Sequence, residues 1–262
     1  MKVCDDSFEL LGKSFSSRFL LGTAGYPSPE VLMNTIKMAG VEIVTMGVKR
    51  QVSGSPGVEN KLLSKIRGLG LKILPNTAGC RTATEAVTVA EVSREIFETD
   101  WIKLEVIGDD YSLQPEPFEL VEATGKLVKK GFKVFAFCTE DILVAERLVL
   151  EGCNILMPWG SPIGSAQGII NPEALTRFRE KFPDLTVIVD AGIGAPSHAS
   201  MAMELGCDAV LLNSAVSQSV DPVRMGNAFK SAILGGREAY RAGLIKPQSF
   251  ASASTQVGNS IF

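Results

Sequence analysis

The sequence predicts one (β/α)8 barrel. Eight short apolar or β-branched runs alternate with eight amphipathic helical patterns from one end to the other. No Pro/Gly/Ser-rich linker or change of composition divides the 262 residues. A barrel of this kind needs about 250 residues as a single unit. An open doubly wound sheet is the alternative, but no G-x-G-x-x-G follows the first strand. The expectation is one barrel domain spanning 1–262, with a flexible tail from about residue 247 where small and polar residues take over.

In chain order, the first strand is expected at 18–22, followed by a helix at 28–39 with Ser28 as cap and Pro29 in its first turn. Strand 42–47 leads to helix 58–69, and strand 71–75 to helix 82–97. The fourth strand, 101–106, is the run Trp-Ile-Lys-Leu-Glu-Val, followed by helix 117–130. Strand 132–137 precedes helix 140–151, and strand 153–157 precedes helix 172–182, which Asn171 and Pro172 open. Strand 185–190 leads to helix 196–206, and strand 208–213 to helix 221–235, opened by Asp221 and Pro222. Gly40, Gly70, Gly131, Gly152 and Gly206 stand between a helix and the next strand, as C-terminal caps do.

Composition narrows the function. The formal charge of −3, with no long Lys/Arg run, argues against a nucleic-acid surface. The N-terminus lacks the apolar stretch of a signal peptide, and no segment has the length to cross a bilayer. Five cysteines with no C-x-x-C pair make disulfides and a zinc site improbable, and one histidine, His198, cannot build a histidine metal centre. His198 also sits poorly for a Ser-His-Asp triad and reads as a first-turn or surface residue. The expectation is a soluble cytoplasmic protein without metal.

Barrel enzymes work at the C-terminal ends of their strands. On the fourth strand Lys103 and Glu105 share one face, opposite Ile102, Leu104 and Val106. Inside a closed barrel both faces are dry, so the two ionisable groups would share a cavity. Two readings stand for Lys103: a structural ion pair, or an amine that condenses with a carbonyl substrate. A nearby carboxylate favours the ammonium, so burial or substrate must release its proton. Glu105 and Asp190, the latter at the end of the seventh strand, could then carry the proton transfers. The loops after strands six, seven and eight lead toward helices and two are glycine-rich, as a phosphate cradle requires. The plainer reading of those glycines is tight turns. Arg81 and Lys49 read as solvated residues that could add charge. Cys138 could face the site but reads as packing, and Trp101 is expected under a neighbouring helix.

The stretches Leu74-Pro-Asn-Thr-Ala-Gly-Cys80, Trp101-Ile-Lys-Leu-Glu-Val-Ile-Gly-Asp109, Met157-Pro-Trp-Gly-Ser-Pro-Ile-Gly164, Val189-Asp-Ala-Gly-Ile-Gly194 and Ala209-Val-Leu-Leu-Asn-Ser214 closely resemble the bacterial thiazole synthase family. The likeness runs in order through nearly the whole chain, including Ala251-Ser-Ala-Ser254. It implies that Lys103 is the Schiff-base lysine and that Glu105 and Asp190 are its acid-base carboxylates. It also implies phosphate binding by Gly164, by the pair Ala191 and Gly192, and by the pair Asn213 and Ser214. The implied substrates are 1-deoxy-D-xylulose 5-phosphate, dehydroglycine and the sulfur of a thiocarboxylated carrier protein, with no cofactor in this subunit. A homo-oligomer, dimer or tetramer, and a complex with the imine-producing enzyme are implied partners.

The chain departs from the family's usual residues around Tyr26, Lys49, Cys138 and Gln167. Two other functions share the same features. A Schiff-base aldolase of phosphorylated sugars would use Lys103 and the glycine loops, and a non-catalytic sugar-phosphate sensor would use the loops alone.

Overall fold

The computed structural model describes residues 6–48, 58–252 and 254, with 58–61 described by backbone alone. A short antiparallel hairpin comes first, β1 (Phe8–Leu10) and β2 (Lys13–Phe15). The barrel follows as β3 (Phe19–Gly22), β4 (Ile43–Gly47), β5 (Lys72–Asn76), β6 (Trp101–Leu104), β7 (Lys133–Cys138), β8 (Ile155–Pro158), β9 (Thr186–Asp190) and β10 (Ala209–Leu212). Each strand is parallel to the next, and β10 pairs with β3 to close the ring. The helices are α1 (Pro29–Ala39), α2 (Val58–Gly68), α3 (Ala83–Phe97), α4 (Pro117–Lys129), α5 (Ile142–Leu150), α6 (Pro172–Lys181), α7 (Pro196–Glu204), α8 (Ser214–Ser217) and α9 (Pro222–Ala242). Among the described residues, no helix is long and apolar enough to cross a membrane.

The expected (β/α)8 barrel is thus present, with boundaries within a few residues of those read from the sequence. The three anticipated caps form: Ser28, Asn171 and Asp221 accept from the backbone N–H of Val31, Ala174 and Arg224. The hairpin, α8 and the far end of α9 were not anticipated. The hairpin strands have three residues each, too short for a period to register. The one-turn α8 lies between β10 and α9. Helix α9 runs seven residues past the expected stop at 235, through Gly235 and Gly236. Gly236 is there for packing: a Cβ at that position would sit 2.4 Å from the Ser200 carbonyl of α7.

Two apolar clusters follow from the period of the strands. Outward residues such as Ile102, Leu104, Val134, Val187 and Val210 meet the helices. Inward residues in the lower half of the barrel, among them Leu20, Ile43, Leu74, Phe135 and Ile188, pack against Phe8, Leu10 and Phe15 of the hairpin. Trp101 belongs to this inner cluster, so its placement under a helix was wrong: it shares the parity of Lys103 and stacks with Phe15 and Phe135. Cys138 has the opposite parity and lies fully buried in the helix-side cluster, away from the cavity. Burial drives its thiol far up, so it is inert packing.

Candidate active site

Above the apolar floor, the last inward position of several strands turns polar. A cavity of about 310 Å³ opens there, lined by Thr45, Asn76, Lys103, Asp190 and the loops after β8, β9 and β10. Of the eight residues expected at the site, Lys103, Asp190, Gly164, Ala191, Gly192, Asn213 and Ser214 line this cavity. Glu105 does not line it and instead backs the lysine.

Lys103 is the centre of the charge arrangement. Its ammonium donates to Glu105 Oε1 at 2.8 Å and lies 2.5 Å from Asp190 Oδ2. All three side chains are buried. The Asp190 contact acts chiefly through charge. Burial disfavours the ammonium, but the two carboxylates, Asp190 ahead of Glu105, outweigh it and hold Lys103 well above an ordinary lysine. Asp190 moves up as well: burial raises it most, the Lys103 charge opposes that, and Glu105 adds to it. Two negative groups against one positive leave the cluster with an excess proton affinity.

Glu105 lies one residue beyond β6, where the sheet no longer holds the chain. Thr77 takes over that task. Its hydroxyl donates to the Glu105 carbonyl and accepts from the Glu105 N–H, while its own N–H donates to the Lys103 carbonyl.

The loops opposite are braced against each other. Gly160 N–H donates to Ala191 O, Gly168 N–H to Gly192 O, and Ile170 N–H to Gly160 O. A Cβ on Gly192 would fall 1.9 Å from Ser161 Oγ, so only glycine fits there. Ala191 holds a left-handed φ of 76°, uncommon for a residue with a side chain, and its N–H reaches the Asp190 carboxylate. Asn213 packs on Gly22 and donates to the Ala24 carbonyl, which ties the loop after β10 to that after β3. His198 is a first-turn residue of α7, as expected, yet it also braces the site. Its Nδ1 accepts from the N–H groups of Gly194 and Ala195, and its ring lies against Gly168.

Arg81 stays outside, paired at the surface with Asp110, and Lys49 lies outside the described residues. Among the described residues, no group of three His, Cys, Asp or Glu side chains could hold a metal ion. The sequence marks the turn from Asn76 to Arg81 as too polar for a simple connection, but assigns no site role to Thr45, Asn76 or Thr77. The signal was available: counting inward positions along β4 and β5 arrives at Thr45 and Asn76, the first polar residues after Ile43 and Leu74.

A closed barrel with a buried lysine–carboxylate cluster at the C-terminal ends of its strands, facing glycine-built loops, has the design of a barrel enzyme. Comparisons with known proteins sharpen the class. The family model described as thiazole biosynthesis protein ThiG matches residues 9–256. The thiazole synthase of Nitrobacter hamburgensis is 54% identical over 250 residues, 95% of this chain and 96% of that protein. That of Coxiella burnetii is 53% identical over 244 residues, 93% of each. The chain belongs to this family, the thiazole synthases of thiamine biosynthesis.

Among solved structures, the Amycolatopsis orientalis BexX/CysO complex matches with a TM-score of 0.84 at 29% identity, covering 93% of this chain and 98% of that one. A thiamine phosphate pyrophosphorylase from Pyrococcus furiosus, at 16% identity, covers 83% of this chain and 95% of that one and, with a TM-score of 0.57, shares the fold alone.

Proposed function

We propose that this chain makes the thiazole phosphate of thiamine from 1-deoxy-D-xylulose 5-phosphate, dehydroglycine and the sulfur of a thiocarboxylated carrier protein, through a Schiff base on Lys103. The observation that carries the reading is the position of the Lys103 ammonium between Glu105 and Asp190, on the wall of a cavity that Gly164, Gly192 and Ser214 also line.

At rest the lysine is charged and cannot attack. Glu105, hydrogen-bonded to Nζ, takes its proton as the ketone approaches, and the neutral amine adds to the carbonyl carbon. The resulting carbinolamine loses its oxygen as water when a carboxyl group returns a proton, leaving the imine. Asp190, raised by burial, is suited to holding a proton for the tautomerisation that moves the carbonyl to the neighbouring carbon. Carrier sulfur adds there, the former carbonyl oxygen takes over the carrier's acyl group, and the acyl–sulfur bond breaks. The carrier thus leaves as its C-terminal carboxylate and the sulfur stays on the sugar; dehydroglycine then closes the ring with loss of water and release of Lys103. The phosphate sits on the backbone N–H groups of the Gly164, Ala191–Gly192 and Asn213–Ser214 segments, where glycine lets the backbone come close. The overall reaction incorporates sulfur from the carrier, a transferase reaction that needs no metal or organic cofactor in this chain.

A protein partner at the cavity mouth agrees with the likeness to a chain solved in the BexX/CysO complex. A homo-oligomer, an association with the imine-producing enzyme and a cytoplasmic setting belong to the same reading.

Borohydride tests it. Reduction in the presence of the ketose phosphate should add one covalent mass at Lys103. An adduct at no residue, or at a different lysine, overturns the imine. Loss of sulfur from loaded carrier only when the ketose phosphate is present separates thiazole synthesis from an aldolase.

A further inference from the structure

Asn76 and Thr45 line the same cavity as Lys103, and neither has a part in the scheme above. They stand on adjacent strands: Asn76 pairs in register with Lys103 on one side and with Gly47 on the other. The Asn76 carboxamide has a fixed orientation. Its Oδ1 accepts from the Ala78 N–H at 3.3 Å, and Nδ2 donates to Thr45 Oγ1 at 2.9 Å. The reversed amide would set its NH2 against the Ala78 N–H, donor against donor, so the backbone dictates which end is which. With Thr45 Oγ1 accepting from Asn76, the hydroxyl hydrogen is left to be donated elsewhere. The second Nδ2 hydrogen is in the same position. Thr45 is also held from behind, since its carbonyl accepts from the Thr23 hydroxyl at 3.0 Å and from the Thr23 N–H. The pair therefore has two donor hydrogens left over at the cavity, with Asn76 on the strand next to the lysine's.

We propose that Asn76 and Thr45 form a donor pair that binds an oxygen of the sugar chain beside Lys103 and so sets the orientation of the ketose. The inference rests on the reading that a keto sugar phosphate occupies this cavity. A pair of donors suits a carbonyl or hydroxyl oxygen accepting hydrogen bonds at that point. Because the phosphate is gripped by other loops, the pair acts on the sugar and not on the anion.

Calorimetry on the full chain with two probes separates these contributions: 1-deoxy-D-xylulose 5-phosphate and inorganic phosphate. Thr45→Val and Asn76→Ala should each weaken the ketose phosphate roughly five- to tenfold, the worth of one neutral hydrogen bond. Inorganic phosphate should bind as in the wild type, Thr45→Ser should restore sugar affinity, and borohydride should still trap Lys103 at saturating sugar. Unchanged sugar affinity in both variants overturns the proposal, as does an equal loss toward inorganic phosphate. If the wild type binds the sugar but gives no adduct at Lys103 while the variants still lose sugar affinity, the imine fails and the donor pair stands.

Discussion

One hydroxyl serves two sides of the Glu105 peptide: Thr77 Oγ1 accepts from the Glu105 N–H and donates to the Glu105 carbonyl, each at 2.8 Å. The pairing replaces the sheet ladder where β6 has ended and fixes the backbone that carries the lysine's partner.

Thr77→Val keeps the shape and removes both bonds, leaving a buried donor and acceptor at a cost of about 1–3 kcal/mol each. We expect kcat to fall roughly tenfold with KM for the ketose phosphate nearly unchanged, and Thr77→Ser to recover most of the rate. Steady-state kinetics decides; a rise in KM at constant kcat would remove Thr77 from the positioning role.

Asp190→Asn preserves the size of the side chain and removes the charge 2.5 Å from Lys103 Nζ. Affinity for the ketose phosphate should survive, and turnover should drop by roughly a hundredfold or more. An unchanged single-turnover rate would strike Asp190 from the acid-base assignment.

Lys103→Met leaves Asp190 and Glu105 facing each other without a cation. Removing one partner of a buried ion pair costs about 3–5 kcal/mol, and denaturant unfolding at pH 7 should show that loss. The raised Lys103 contributes its stability in full below its ordinary value of 10.5 and loses it as pH climbs through its higher folded value. Asp190 is raised above 3.8, so the folded chain takes its proton more readily than the unfolded chain does, and ionising it weakens the fold as pH rises. Without the cation that holds it down, Asp190 in the variant rises further and regains more stability on protonation, so the gap should be widest near neutrality and narrow in acid and in strong alkali. A gap independent of pH would contradict the ion-pair account.

Gly192→Ala places a methyl group where Ser161 Oγ already sits, at 1.9 Å, and at a φ of 76° that disfavours any side chain. The loops after β8 and β9 must separate, so inorganic phosphate affinity should fall at least tenfold, with a lower Tm. Calorimetry and thermal unfolding check this; a variant altered only in kcat would be incompatible with a phosphate cradle.

The sequence exposed the barrel because its strands and helices carry strong periods and its caps use standard chemistry. The buried lysine was equally legible, since Lys103 and Glu105 break an apolar run at positions of one parity. Trp101 was misplaced although the same parity rule assigned it inward, because a large indole suggested a helix interface. The hairpin escaped because its turn, Leu11 and Gly12 at φ 52° and 73°, lacks the Asn-Gly or Asp-Gly signature. The true end of α9 escaped because Gly235 and Gly236 look like a stop, whereas Gly236 lets two helices touch. The role of Thr77 was not legible, although the polar turn that holds it was: its partner, Glu105, lies 28 residues away and is reached only through the fold.

Phe8, Leu10 and Phe15 stopper the lower end of the barrel, and a shaft plugged at its base fills from the bottom upward. On the proposed reading, the sugar must descend to the lysine before a bulky carrier leans over the rim, and the finished ring leaves only after that carrier withdraws. On that same reading, the order of arrival and departure is set by a hairpin of two three-residue strands far from any reacting atom.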